Sequence, residues 1–350
     1  MTHRDNALRA YRFQGPEWIP ACVSIPSQSW LEYDPAEIEA IFLGHPRLFP
    51  GYRKGSVDPA KIAFAPELRA NQPYTDGWGC VWETPRDGMY PAVVRHALAS
   101  WDALPGLRPP DPERSDGMRP LDWTATRQWV ATARRAGHLV WLGLPHGHTF
   151  LRLQDLRGYQ NLVFDMADEE PRLLELIATV ERFNAALAQR CLDLQPDIFG
   201  IPEDLGMQNT PMVSPEHFRR YIKPSYQRLT EPFRRAGILI HEHCDGYIMD
   251  LVEDLVECGG NILNLQDRVN GIDAIRQVLK GRVAIDLDID RQHVTMHGSA
   301  QDIDDLIRGP VEKLATPAGG LSLMYHAWFP TPARQIDAVC TAMEKYCFPN

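Results

Sequence analysis

Six short apolar runs, each followed by an amphipathic stretch with helical periodicity, restrict this chain to an α/β fold built on parallel strands. The runs lie at 138–144, 197–204, 238–243, 261–266, 283–290 and 320–326, and the helical patterns that follow them at 168–194, 214–237, 248–260, 271–281, 300–315 and 332–346. Parallel neighbours need a long crossover, and a helix is the usual one. A strand over 17–25, behind a leading helix within 1–17, and one more strand in the Pro-rich segment bring the number of strands to eight. The reading is a single (β/α)8 TIM-type barrel over 1–350, with residues 26–122 as an irregular insertion rich in Pro, Gly and Trp. A doubly wound dinucleotide fold fits less well. The expected GxGxxG is missing, and the nearest stretch, "GLPHGH" at 143–148, has the wrong spacing.

Punctuation within these segments is explicit. "TATRQWVATARRAG" is an amphipathic helix stopped by Gly137. Ser214 and Pro215 form a helix start, while Pro224 and Pro232 must kink or break that helix further along. "YTDGWGCVWETPRDGMYPAVV", inside the insertion, predicts short strands or a hairpin. The seven cysteines are scattered with no CxxC pair, which argues against a disulfide framework and a zinc ribbon. A net charge of −10 and no basic cluster with interleaved aromatics argue against nucleic acid as a partner. No apolar run reaches the roughly 20 residues that span a bilayer, and the charged start lacks a signal-peptide core, so a cytoplasmic location with no membrane partner is expected.

Chemistry-bearing residues collect at the C-terminal ends of the strands, where barrels of this type build their sites. His146 and His148 follow the first of the six runs, Glu203 and Asp204 end the second, and His241, His243 and Asp245 come with the third. Gln266, then Asp286, Asp288 and Asp290, then Tyr325 and His326 end the remainder. In "HEHCD", alternation puts His241 and His243 on one side and Glu242 on the other. A His-x-Asp pair such as His243 and Asp245 holds a metal when another strand adds a ligand; His326, Glu203, His146 and His148 are the candidates. The plain alternative for each histidine is a hydrogen-bonded core or supporting role. Cys244 reads as passive, and His217, His293 and His297 as surface residues.

An ordered set of segments carries a family resemblance. "NALRAYRFQGPEWIP", "DGWGCVWE" with "HALASWDALPGLRPPDP", "EDLGMQNTPMVSPEHFRRYIKPSYQRL", "HCDGYIMDLVEDLVECGG" and "GLSLMYHAWFPTPARQIDAVCTAM" follow one another as in the uroporphyrinogen decarboxylase superfamily. The chain resembles that superfamily, and within it the branch of cobalamin-dependent methyltransferases. The resemblance implies a distorted (β/α)8 barrel and a homodimer. Two departures bear on function. The decarboxylases carry carboxylate-binding arginines after the first strand, where this chain has "VSIPSQSWLEY" without one. The zinc methyltransferases carry His-x-Cys and a later Cys, where this chain has His243, Asp245 and, near the last position, Tyr325 and His326.

The resemblance therefore implies zinc or another divalent metal on His243, Asp245 and His326. Glu203, Asp204 and His241 are the catalytic candidates. His146, His148, Gln208, Gln266, Asp288 and Tyr325 are the substrate-contacting ones. The implied reaction moves a methyl group between a small O-, N- or S-methylated substrate and a corrinoid carried by a partner protein. The alternatives are a metal-assisted decarboxylase or lyase acting on a small carboxylic acid, and a barrel that only binds its ligand.

Overall fold

The computed structural model describes residues 1–348. The chain divides into two compact units, one made of residues 1–63 with those from 262 onward, the other of residues 64–261. In chain order the strands are β1 (Ala21–Ser24), β2 (Tyr74–Thr75), β3 (Val81–Glu83), β4 (Ala92–Arg95), β5 (Trp141–Gly143), β6 (Ile198–Pro202), β7 (Leu239–Cys244), β8 (Ile262–Gln266), β9 (Ala284–Asp288) and β10 (Leu321–His326).

The first unit holds four parallel strands in the order β1-β10-β9-β8, with Ala21 opposite Leu323, Leu321 opposite Ile285, and Ile262 opposite Ala284. Helices Ile272–Leu279, Ala300–Leu314 and Ala333–Cys347 follow β8, β9 and β10 in turn. Helix Ala300–Leu314 starts at a capping box between Ser299 and Asp302 and buries Ile303, Ile307 and Leu314 at helical spacing. The leading helix is His3–Tyr11, and two short helices, Ser29–Glu32 and Pro35–Gly44, occupy the start of the segment read as irregular.

The second unit holds the parallel strands β5-β6-β7, with Gly143 opposite Gly200, and Pro202 opposite His243. It also holds an antiparallel sheet, β2-β3-β4. Thus the strands expected in "YTDGWGCVWETPRDGMYPAVV" form, but they pair antiparallel among themselves. The eighth parallel strand expected from this region is not present among the described residues. Turn residues every few positions limit these strands to two to four residues, and tight turns join antiparallel neighbours only.

Two helices differ from their sequence reading for local reasons. The pattern at 168–194 becomes the single helix Pro171–Asp193, set off from a separate helix Tyr159–Ala167 because Glu169 takes a left-handed φ of 54° and Glu170 caps the later helix by accepting from the Arg172 amide. Asp168, Glu169 and Glu170 therefore precede its first turn. The pattern at 214–237 starts as expected, the Ser214 side chain accepting from the His217 amide. It then widens into a π-helical stretch, Phe218–Ile222, just before Pro224, and continues as Lys223–Arg235 with Pro232 inside. The wider turn meets the missing proline N–H without ending the helix. Phe233 of that helix stacks on Phe199 of β6, with ring centroids 3.6 Å apart.

Candidate metal centre and its cavity

Three consecutive strand ends of the second unit converge on one point. β7 is buried along most of its length, and its period of two sends His241 and His243 to one face. The loops after β6 and β7 then touch backbone to backbone. The Gly206 amide donates to the Asp245 carbonyl at 3.1 Å. Gly246 sits at φ +81°, where a Cβ would lie 2.3 Å from the Gly206 carbonyl carbon. Only glycine at 246 permits this approach. It brings the Asp245 amide within 3.2 Å of Asp204 Oδ1.

Asp204 Oδ1 is the centre of the cluster. His146 Nε2 lies 3.2 Å from it and His243 Nε2 3.5 Å. One ligand atom from each of the three residues lies within 4.8 Å of the other two. Burial would push the Asp204 carboxyl up, but its hydrogen bonds to the His146 and His243 imidazoles overcome that and hold it well below the usual carboxylate range. Two ligands bonded to a tetrahedral zinc at 2.0–2.1 Å stand about 3.3 Å apart. The two nitrogen–oxygen spacings match such an ion, and the trio would give it three protein ligands and leave one coordination position open. Asp245 Oδ1, 4.0 Å from His243 Nε2, is a further oxygen beside it.

His146 and Asp204 also belong to the wall of a cavity of about 430 Å³. Trp82, Tyr90, Leu151 and Tyr159 give it flat and apolar walls, and Asp155 and His96 add polar groups. Among the described residues, no Lys or Arg lines it. Tyr90 meets the His146 ring edge-on at 6.2 Å.

Other residues singled out in the sequence make contacts of their own. Glu203 is 1% exposed. Its Oε1 accepts from the Thr149 and Leu151 amides at the start of helix Phe150–Arg157, at 2.9 and 2.8 Å, and its Oε2 accepts from the Tyr226 hydroxyl. That is an anchoring role: the carboxylate neutralises a helix N-terminus. His148 is buried, its Nδ1 2.7 Å from Thr149 Oγ1, and burial lowers its pKa and keeps it neutral. His241 is buried edge-on against the Trp141 ring, 4.4 Å between centroids. Gln208 is exposed. Gln266, Asp288, Tyr325 and His326 belong to the first unit. There Gln266 and Asp288 are register partners, Arg291 lies 3.0 Å from the Asp288 carboxylate and 3.4 Å from His326 Nδ1, and burial pushes the Tyr325 hydroxyl up to about 12.

Asp155 was not visible as a site residue in the sequence. It stands in an ordinary helical pattern, and the one available signal is that its helix follows directly on the strand end carrying His146. Its carboxyl is pushed up to about 7, first by burial and then by the Asp76 and Glu203 charges, against the opposing Arg152.

By fold this is an α/β protein of the TIM-type class, with helices alternating with parallel strands in each unit. The profile of the family described as Uroporphyrinogen decarboxylase (URO-D) matches residues 78–346, and the chain belongs to that family. A uroporphyrinogen decarboxylase of Thermus thermophilus is 42% identical over 53 residues, a match spanning 15% of this chain and 15% of that protein. Among solved structures, a methyltransferase from Methanosarcina mazei superposes with a TM-score of 0.65 at 13% identity, over 99% of both chains. At that identity the likeness is one of fold.

Proposed function

We propose that the chain is a metal-dependent methyltransferase, moving a methyl group between a small O-, N- or S-methylated substrate and a corrinoid co-substrate held by a partner protein. The observation that carries this reading is the convergence of His146 Nε2, Asp204 Oδ1 and His243 Nε2 within 4.8 Å. His146 and Asp204 at the same time line a cavity of small-molecule size. The Methanosarcina mazei fold relative, named a methyltransferase, is consistent with it. Zinc or another divalent ion at this trio would act as a Lewis acid, polarising the heteroatom that carries the methyl group.

The chain's own residues supply the rest. His146, Asp204 and His243 set the position of the reacting heteroatom, and the Asp245 amide holds the Asp204 carboxylate in place. Trp82, Tyr90 and Tyr159 offer flat faces to a ring and restrict water. With no Lys or Arg among its described lining residues, the cavity offers a carboxylate substrate no guanidinium or ammonium partner, which disfavours decarboxylation of a small acid. Of the ligands the resemblance implied, His243 is retained in this reading. Asp245 is an auxiliary oxygen, and His146 and Asp204 complete the set.

The test has two parts. Purified protein should carry about one equivalent of zinc or a similar ion, and H243A should not. Added cob(I)alamin should then be methylated, seen in its visible spectrum, when a methoxylated or N-methylated compound is present. Metal-free wild-type protein, with no methylation for any such donor, would exclude the reading.

A further inference from the structure

We propose that Asp155 is a catalytic acid of this cavity, delivering a proton to the heteroatom that gives up its methyl group, and that the substrates it serves are neutral aryl methyl ethers. The proposal rests on the methyl-transfer reading above and adds a residue and a substrate class to it.

The geometry begins with placement. Asp155 lines the same cavity as His146 and Asp204, and its side chain is 13% exposed. Its backbone is pinned as well. The Asp155 carbonyl accepts from His96 Nδ1 at 2.8 Å and from the Cys80 thiol at 3.2 Å. Asp155 stands in the last turn of helix Phe150–Arg157, where the helix dipole disfavours a negative charge.

The nearby cation does not cancel this. Arg152 Nη1 is 3.7 Å from the Asp155 carboxylate, beyond hydrogen-bonding distance, but 3.0 Å from Asp76 Oδ2. Asp76 is fully buried and takes three more donors: the Trp78 and Cys80 amides on one oxygen and Trp82 Nε1 on the other. The guanidinium charge is therefore already matched. Asp76 and Glu203 add negative charge near Asp155, Arg152 and His146 oppose it, and Tyr90 and Cys80 face it as neutral groups. A carboxyl balanced near neutrality holds a proton that it can give up at physiological pH.

The lining decides the substrate class. Trp82, Tyr90, Tyr159 and Leu151 suit a flat apolar ring, and with no Lys or Arg among its described residues the lining offers an anion no cationic side chain. An aryl methyl ether meets both conditions. Its leaving group, a phenolate, departs more readily when it is also protonated as it leaves, and the more so the weaker the acid it forms. In the step, the bond between oxygen and methyl carbon breaks and its electron pair stays on oxygen. The Asp155 proton forms the O–H bond of the phenol. The methyl carbon bonds to the electron pair of a cobalt(I) corrinoid supplied as co-substrate. Cobalt is formally oxidised by two electrons, and the carbon is reduced by two. Asp155, left ionised, takes a proton back from water.

The experiment compares wild type, D155N and D155E, each first shown by thermal melting to be folded. Infrared difference titration of the metal-free proteins should show a carboxyl that titrates near neutrality in wild type and is missing in D155N. The subtraction separates it from Asp267, whose carboxyl burial also raises to about 7. Methyl transfer to cob(I)alamin is then followed for methoxybenzenes whose phenols range from weak to strong acids. D155N should slow the weakly acidic members by about 100-fold or more and the nitro-substituted members by less than about tenfold, with D155E partly restoring the former. An equal loss across the series, or no change in the titration, overturns the assignment of Asp155. A wild type that demethylates no member overturns the substrate class, and if it also methylates cob(I)alamin from no other donor, the proposed function falls with it.

Discussion

Asp204 Oδ1 and His146 Nε2 stand 3.2 Å apart, joined from the ends of two neighbouring parallel strands. The same oxygen lies 3.5 Å from His243 Nε2, so one carboxylate collects two imidazoles. Without an ion this is a hydrogen-bonded pair of donors on one acceptor; with an ion it is a three-ligand set with an open position. The arrangement makes direct demands on each residue.

Removing a ligand should cost most of the metal affinity. H243A and D204N are each expected to weaken zinc binding by more than about 100-fold, since even outer partners of metal ligands account for 10–100-fold. D245N, at the edge of the cluster, should weaken it less. Competition with a fluorescent chelator gives the constants, and a D204N protein that binds zinc as wild type does would rule out the trio.

Gly246→Ala should act on the same site from the backbone. A side chain at φ +81° and 2.3 Å from Gly206 forces the two loops apart and moves Asp204 away from His243. Zinc affinity should fall by at least about tenfold, with a loss of stability of about 1 kcal/mol or more. Unchanged affinity in a folded G246A would show that the loop contact does not set the ligand spacing.

Glu203 should prove structural. Its carboxylate takes two backbone amides and the Tyr226 hydroxyl while 1% exposed. E203Q and Y226F are each expected to lose about 1–3 kcal/mol in urea unfolding. In the double variant the loss should be less than additive, because both changes break the same contact. Full stability with abolished turnover in E203Q would instead make it a chemical participant.

Glu242 should make stability depend on pH. It is buried on the face of β7 opposite His243, neither carboxyl oxygen has a hydrogen-bond partner among the described residues, and burial raises its pKa well above the ordinary value. Below the carboxyl pKa of the unfolded chain both states hold the proton, and stability is unaffected. Above it the unfolded chain releases the proton and the folded protein keeps it, so stability falls by about 1.4 kcal/mol per pH unit until the raised folded value is reached. E242Q removes this slope. It should match wild type near pH 4 and exceed it as the pH rises above the ordinary carboxyl range in chemical unfolding; parallel pH profiles for the two proteins would refute the assignment.

Much of the protein was legible from one dimension. Apolar runs alternating with amphipathic ones predicted the parallel α/β class, because each strand must bury both faces and each helix one. The period of two in β7 separated His243 from Glu242, and Ser214 with Pro215 marked a helix start. The order of segments also pointed to the family. Only the folded chain decided which strand ends meet. Sequence spacing says which side chains share a face, but not how closely two loops approach, and that approach depends on Gly206 and Gly246 having no Cβ. It is what sets Asp204 between His146 and His243, and commits Glu203, its neighbour in sequence, to a helix start. Asp155 was hidden for a related reason. Its surroundings are made by Asp76 and Arg152, whose pairing joins a hairpin to a helix, and the electrostatic field at a carboxyl is a sum over neighbours in space, which the linear order of residues does not contain.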